Sequence, residues 1–131
     1  MATASESDRG SAGRRDGFAI DAALDPPRMT LALRGELDLA GAPSLEREIE
    51  ALPWPQLAEL VVDLAELTFI DSTGLSVLIR AAHRAAEEGL RFSVVRAPTQ
   101  PRRLFSLAGV TASLNVLPLG PPDSAEIDST S

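Results

Sequence analysis

The apolar residues of this chain switch repeatedly between two spacings, and that switching limits the folds open to it more than any other feature. Phe18, Ile20, Ala22 and Leu24 alternate with other residues, and so do Met29, Leu31 and Leu33 after an Asp25-Pro26-Pro27-Arg28 turn. A period of two is that of a strand, so the pair reads as a hairpin. Leu45, Ile49 and Leu52 then fall at helical spacing behind Pro43, a residue suited to a first helical turn, and Pro53-Trp54-Pro55 closes the segment. Leu60-Val61-Val62 is an unbroken apolar run, which suits a central strand covered on both faces. Leu75, Leu78, Ala82 and Ala85 form a helical stripe that ends at Gly89, and Phe92–Val95 is a fourth strand. Pro101 starts a short helix carrying Leu104, Phe105 and Ala108 up to Gly109, and Leu114–Leu117 is a last strand. The order β-β-α-β-α-β-α-β predicts a single α/β domain. Its sheet should be mixed but mostly parallel, with about five strands and helices packed on it.

The 131 residues suit one domain. Residues 1–16 and 119–131 are small, polar and without periodicity, which predicts flexible tails around a domain over 17–118. Composition removes several functions. With no cysteine and one histidine, the chain has no disulfide framework, thiolate nucleophile or ordinary zinc site, and no metal or cofactor is expected. A net charge of −7 argues against nucleic-acid binding, which depends on neutralising phosphates. No apolar run reaches the roughly 18–20 residues of a membrane helix, and no secretory leader precedes the domain, so the expected compartment is the cytoplasm without membrane insertion. All 12 basic residues are arginine.

The segment Leu67-Thr68-Phe69-Ile70-Asp71-Ser72-Thr73-Gly74-Leu75 passes from an apolar stretch straight into a helix. Asp71 or Ser72 is the natural N-cap, because a side-chain oxygen there accepts from the free amides of the first turn. Those amides, with the helix dipole, also favour an added phosphoryl group on Ser72. Gly74 is expected to keep the turn bare so that another surface can come close. A plain helix cap explains the same residues without any chemistry. Ser72 has no catalytic base: His83 lies 11 residues along the same helix, roughly 16 Å away at 1.5 Å per residue. A Gly-x-x-x-x-Gly-Lys phosphate loop is absent, as is the lysine that a response-regulator receiver, by resemblance, needs in its pocket. Trp54 is expected to pack at the domain edge, and Arg102 and Arg103 to be solvated.

Gly35-Glu36-Leu37-Asp38, Leu60-Val61-Val62-Asp63-Leu64, Asp71-Ser72-Thr73-Gly74-Leu75 and Arg102-Arg103-Leu104-Phe105-Ser106-Leu107-Ala108-Gly109 occur in that order. Together they resemble the STAS domain, specifically the bacterial anti-sigma factor antagonists, over about residues 18–118. The resemblance implies a binding module rather than an enzyme. Its unphosphorylated form binds an anti-sigma factor that is also a GHKL-type serine kinase, and a sigma factor is freed. Phosphorylation at Ser72, with Thr73 as second choice, ends the binding, and a serine phosphatase resets it. Carried over residue by residue, the partner surface would comprise Asp38, Asp71, Ser72, Thr73, Gly74 and Leu75. Asp63 is expected near the same end, because partners gather where the strands of an α/β sheet end. The family also commonly ends in an amphipathic helix, which Gly120-Pro121-Pro122 interrupts here. STAS domains serve in addition as adaptor subunits of transporters, including lipid-transport ABC complexes, and that role is the alternative.

Overall fold

The computed structural model describes residues 17–119. The expected tails, and the expected loss of a C-terminal helix, lie outside the described residues. Strands β1 (Phe18–Asp25) and β2 (Arg28–Leu37) form the hairpin, antiparallel from Phe18 opposite Gly35 to Asp25 opposite Arg28. Helix α1 (Ala42–Glu50) leads through a single 3₁₀ turn at Trp54–Gln56 into β3 (Glu59–Ile70). Helix α2 (Ser72–Glu87), strand β4 (Arg91–Val95) and helix α3 (Thr99–Ala108) complete the domain. The sheet order is β1-β2-β3-β4, with β2–β3 and β3–β4 parallel. The α/β class and the mixed, mostly parallel sheet are therefore as the sequence predicts.

The helix ends follow from local chemistry. Gly89 and Gly109 adopt left-handed conformations just past α2 and α3, which stops each helix where its stripe runs out. Pro43 occupies the first turn of α1. The hydrophobic core fills one face of the sheet, with Leu31, Leu33, Leu60, Leu64, Leu78, Val94 and Phe105 fully buried. Trp54 closes the edge of this core, only 3% exposed, and its indole N–H donates to the Ile49 carbonyl at 3.0 Å. The Arg84 guanidinium lies 4.7 Å from the centre of the Trp54 ring. A Trp54→Phe variant keeps the ring's packing but loses that hydrogen bond and weakens the stacking. It is expected to cost about 1–2 kcal/mol in urea unfolding.

Three details differ from the sequence expectation. First, Leu60-Val61-Val62 is not covered equally on both faces. Leu60, Val62 and Leu64 are buried while Val61 is only half-buried, so alternate residues carry the core. Second, β3 runs much further than that apolar run, as far as Ile70. Between Ala32 and Arg34, and again between Gly35 and Glu36, the register shifts and one extra β3 residue enters the ladder. Each bulge displaces the alternation by one position, which hides the strand from a period-two reading. Gly35-Glu36-Leu37 is thus the end of β2. Gly35 has φ +89°, and a Cβ on it would lie 1.9 Å from the Gly17 carbonyl oxygen.

Third, the last strand shrinks to a single bridge, Val94 opposite Val116, which leaves four strands instead of about five. Asn115 sits at φ 49°, so the chain reaches the β4 edge from a turn rather than as an extended segment. Among the described residues its backbone pairs with β4 through Val94 N–H to Asn115 C=O and Leu117 N–H to Val94 C=O, and the Asn115 side-chain amide donates to Phe92 C=O at 3.0 Å. Pro118 has no N–H with which to carry the ladder on.

Candidate functional site

Strand β2 and strand β3 end side by side, with Leu37 opposite Ile70. The chain leaves each of them through an aspartate. Past β2, the Asp38 carboxylate accepts from the amides of Ala40 (3.1 Å) and Gly41 (3.2 Å), folding the turn that opens α1. Past β3, Asp71 is the N-cap of α2, and its carboxylate accepts from Gly74 N–H at 3.0 Å. The Asp71 amide donates to the Leu37 carbonyl at 3.2 Å. That bond brings the Asp38 turn and the Asp71 cap to one rim of the sheet, at the C-terminal ends of its two central strands. In an open α/β sheet, ligands and partners gather at such strand ends.

Ser72 is the first residue of α2 and is exposed. Its hydroxyl makes no hydrogen bond among the described residues, and its carbonyl accepts from the Ser76 hydroxyl at 3.0 Å. A helix leaves its first amides without intrahelical acceptors. Here Asp71 satisfies that of Gly74 and, through its carbonyl at 2.9 Å, that of Leu75. The amides of Ser72 and Thr73 have no protein acceptor among the described residues. They sit where the helix dipole is positive, beside a free hydroxyl. The arrangement can hold a phosphoryl group on Ser72 without disturbing the fold. Thr73 is half-buried and stands second.

Two of the expected contact residues face inward. Gly74 is buried, and a Cβ there would lie 2.6 Å from both the carbonyl oxygen and Cγ of Leu37. The surface that comes close to Gly74 is therefore the protein's own β2, not a partner's. Leu75 is 6% exposed and belongs to the core. Both hold the turn from beneath. In their place the rim displays two large apolar side chains that the sequence reading did not single out as contacts. Leu39, in the Asp38 turn, is 73% exposed, and Phe69, near the end of β3, is 40% exposed.

Asp63 is not at this rim. It faces Ala32 on β2, five residues before the Leu37–Ile70 pair, or about 17 Å along the strands. There it accepts from Arg96 at 2.5 and 3.2 Å and from the Ala65 amide at 3.0 Å. Burial works to raise its carboxyl, and the Arg96 fork, the Ala65 amide and the Arg96 charge more than reverse this, so it titrates below the usual aspartate range. The folded carboxyl thus keeps its charge to lower pH than the unfolded one. Its stabilising effect is complete above the ordinary aspartate value of 3.8 and fades as pH falls through the lowered folded value. Asp63→Asn is therefore expected to lower the urea midpoint near neutral pH, and the gap to wild type should narrow as pH falls below 3.8.

Residues 20–118 match a family model described as "Mlab, STAS domain". The chain belongs to the STAS domain family. Over 80 residues this STAS domain is 31% identical to the anti-sigma-F factor antagonist RsfB of Mycobacterium tuberculosis. That match covers 61% of the chain and 65% of the relative, just under two thirds of its length. The crystal structure of an anti-sigma factor antagonist from Mycobacterium paratuberculosis superposes with a TM-score of 0.71 at 26% identity, over 82% of this chain and 91% of that one. The unphosphorylated form of the anti-sigma factor antagonist SpoIIAA shares the fold at a TM-score of 0.67 and 15% identity, over 81% and 92% of the two chains. Among the described residues no helix of the STAS domain is long and apolar enough to cross a membrane, and no cluster of His, Asp or Glu could hold a metal ion.

Proposed function

We propose that this STAS domain is an anti-sigma factor antagonist that works by partner switching. Its unphosphorylated form binds an anti-sigma factor carrying GHKL-type serine kinase activity, and the sigma factor held by that protein is released. The kinase transfers a phosphoryl group to the Ser72 hydroxyl, the complex separates, and a serine phosphatase restores the starting state. The domain is then a substrate and a binding module, not an enzyme. The observation that carries this reading is the exposed, unbonded Ser72 hydroxyl directly after the Asp71 cap, on a rim that also bears Asp38 and Leu39. The 31% identity to RsfB and the likeness to the Mycobacterium paratuberculosis antagonist support the same partner class.

On this reading the switch is electrostatic. Unphosphorylated, the rim offers a small hydroxyl, with apolar Leu39 in the Asp38 turn and Phe69 three residues before Ser72 also exposed. Phosphorylation adds about −1.5 to −2 charge at that point. The phosphate keeps local amides for company in the free protein, but an interface shaped to the hydroxyl must strip it of water with carboxylates nearby. Like charges about 4 Å apart repel by roughly 4 kcal/mol at an effective dielectric of 20.

Capture from a lysate of the source cells with ADP present tests the proposal, comparing wild type with Ser72→Asp by mass spectrometry. Retention of a GHKL-type serine kinase by wild type, and its loss with Ser72→Asp, is the expected result. Recovery of transporter subunits by both proteins alike would overturn it in favour of an adaptor role.

A further inference from the structure

Among the described residues strand β3, which leads to Ser72, has a strand partner on only one side over its second half. On that side β2 stays paired with it up to Ile70. On the other, β4 pairs only with Glu59–Asp63. The free edge ends one residue before the Asp71 cap, and there a side chain takes the place of the missing strand. Gln100 Oε1 accepts from Ile70 N–H at 2.9 Å, and Gln100 Nε2 donates to Ile70 C=O at 2.9 Å. A primary amide carries the same donor and acceptor as a peptide unit, and among side chains only Asn and Gln offer that pair.

The clamp is itself anchored. Gln100 lies in the first turn of α3, next to buried Pro101 and five residues before fully buried Phe105. The peptide units ahead of Ser72 are thus gripped from both sides. Gln100 holds Ile70 from α3, Leu37 C=O holds the Asp71 amide from β2, and the Asp71 carboxylate then holds Gly74. Ile70 is also the last point at which the backbone direction is set before the cap.

We propose that Gln100 is a positioning residue for the phosphoacceptor turn: by mimicking a neighbouring strand at Ile70 it fixes the direction in which Asp71 and Ser72 leave the sheet. The effect on phosphoryl transfer rests on the proposed function; the effect on the turn rests on the geometry alone. Among the described residues Gln100 makes no hydrogen bond to the acceptor hydroxyl, so it acts through Ile70.

Amide hydrogen exchange on Gln100→Leu in the free protein separates the two parts. Protection at Ile70 and Gly74 should fall at least tenfold further than at Leu31 and Val62, which report global opening. Should Gln100→Leu fail to fold, Gln100→Glu, which keeps the acceptor and loses the donor at neutral pH, carries the same comparison. Loss of protection in step with Leu31 and Val62 would overturn the proposal. The same variant is then given to the purified serine-kinase anti-sigma factor from the source organism, with ATP. Turnover at Ser72 should fall about tenfold with KM changed less than twofold, the pattern of a misdirected acceptor. Transfer at the wild-type rate despite a loosened turn would overturn the positioning role. A loosened turn with no transfer even to wild type would instead refute the proposed function and leave the clamp standing.

Discussion

Ser72→Asp is expected to weaken binding of the serine-kinase anti-sigma factor by about a hundredfold, while Ser72→Ala leaves the affinity within about threefold of wild type and abolishes phosphoryl transfer. A hundredfold is about 2.7 kcal/mol. That is less than the roughly 4 kcal/mol of close like-charge repulsion at intermediate dielectric, as it should be for a single carboxylate standing in for a phosphate. Alanine removes only a hydroxyl that makes no hydrogen bond among the described residues, so it leaves no buried partner orphaned. Neither change touches the cap, because Asp71 rather than Ser72 accepts from Gly74. Titration calorimetry gives both affinities, and equal values for the two variants would remove Ser72 from the mechanism.

Gly74→Val should be the most damaging single change near the site, with stability reduced by about 3 kcal/mol. The new Cβ would start 2.6 Å from the Leu37 carbonyl oxygen and 3.1 Å from Ile70 Cγ1. The Leu37 carbonyl cannot yield easily, since it already accepts from the Asp71 amide. The helix must therefore lift away from β2 and carry Ser72 with it. For a domain of this size the loss corresponds to a melting temperature lower by roughly 12–24 °C in thermal unfolding followed by circular dichroism. Gly74→Ala is milder, because the gain of about 1 kcal/mol in helix propensity offsets part of the clash. A Val variant that melts within about 3 °C of wild type would show that the helix start is not packed against β2 as described.

The parts of the fold that were legible in the sequence are those with local causes. The hairpin followed from two alternating runs around Asp25-Pro26-Pro27-Arg28, and the helices from their stripes, Pro43 and the closing glycines. The cap could be narrowed to Asp71 or Ser72 because capping reaches only three residues, and the structure settles it on Asp71. What stayed hidden depends on distant parts of the chain. The two bulges that carry β3 on to Ile70 exist only in its pairing with β2, and they break the period that would announce a strand. The same register leaves Asp63 well short of the rim. Gly74 looked like an opening for a partner because nothing in the sequence says that Leu37 lies beneath it. Gln100 is 30 residues from Ile70 and belongs to no motif. Hydrogen bonding between a side chain and a remote backbone leaves no local pattern to read.

The rim divides its labour by direction. Gly74, Leu75, Leu37 and Ile70 point into the domain and hold the turn, whereas Leu39, Phe69 and Ser72 point out of it. Outward positions can change without disturbing the inward ones. On the proposed function, two or three outward side chains could therefore be exchanged to retune the choice of partner while the folded frame stays as it is. Selectivity would then rest on Leu39 and Phe69, and Ser72 would be left to carry the switch alone.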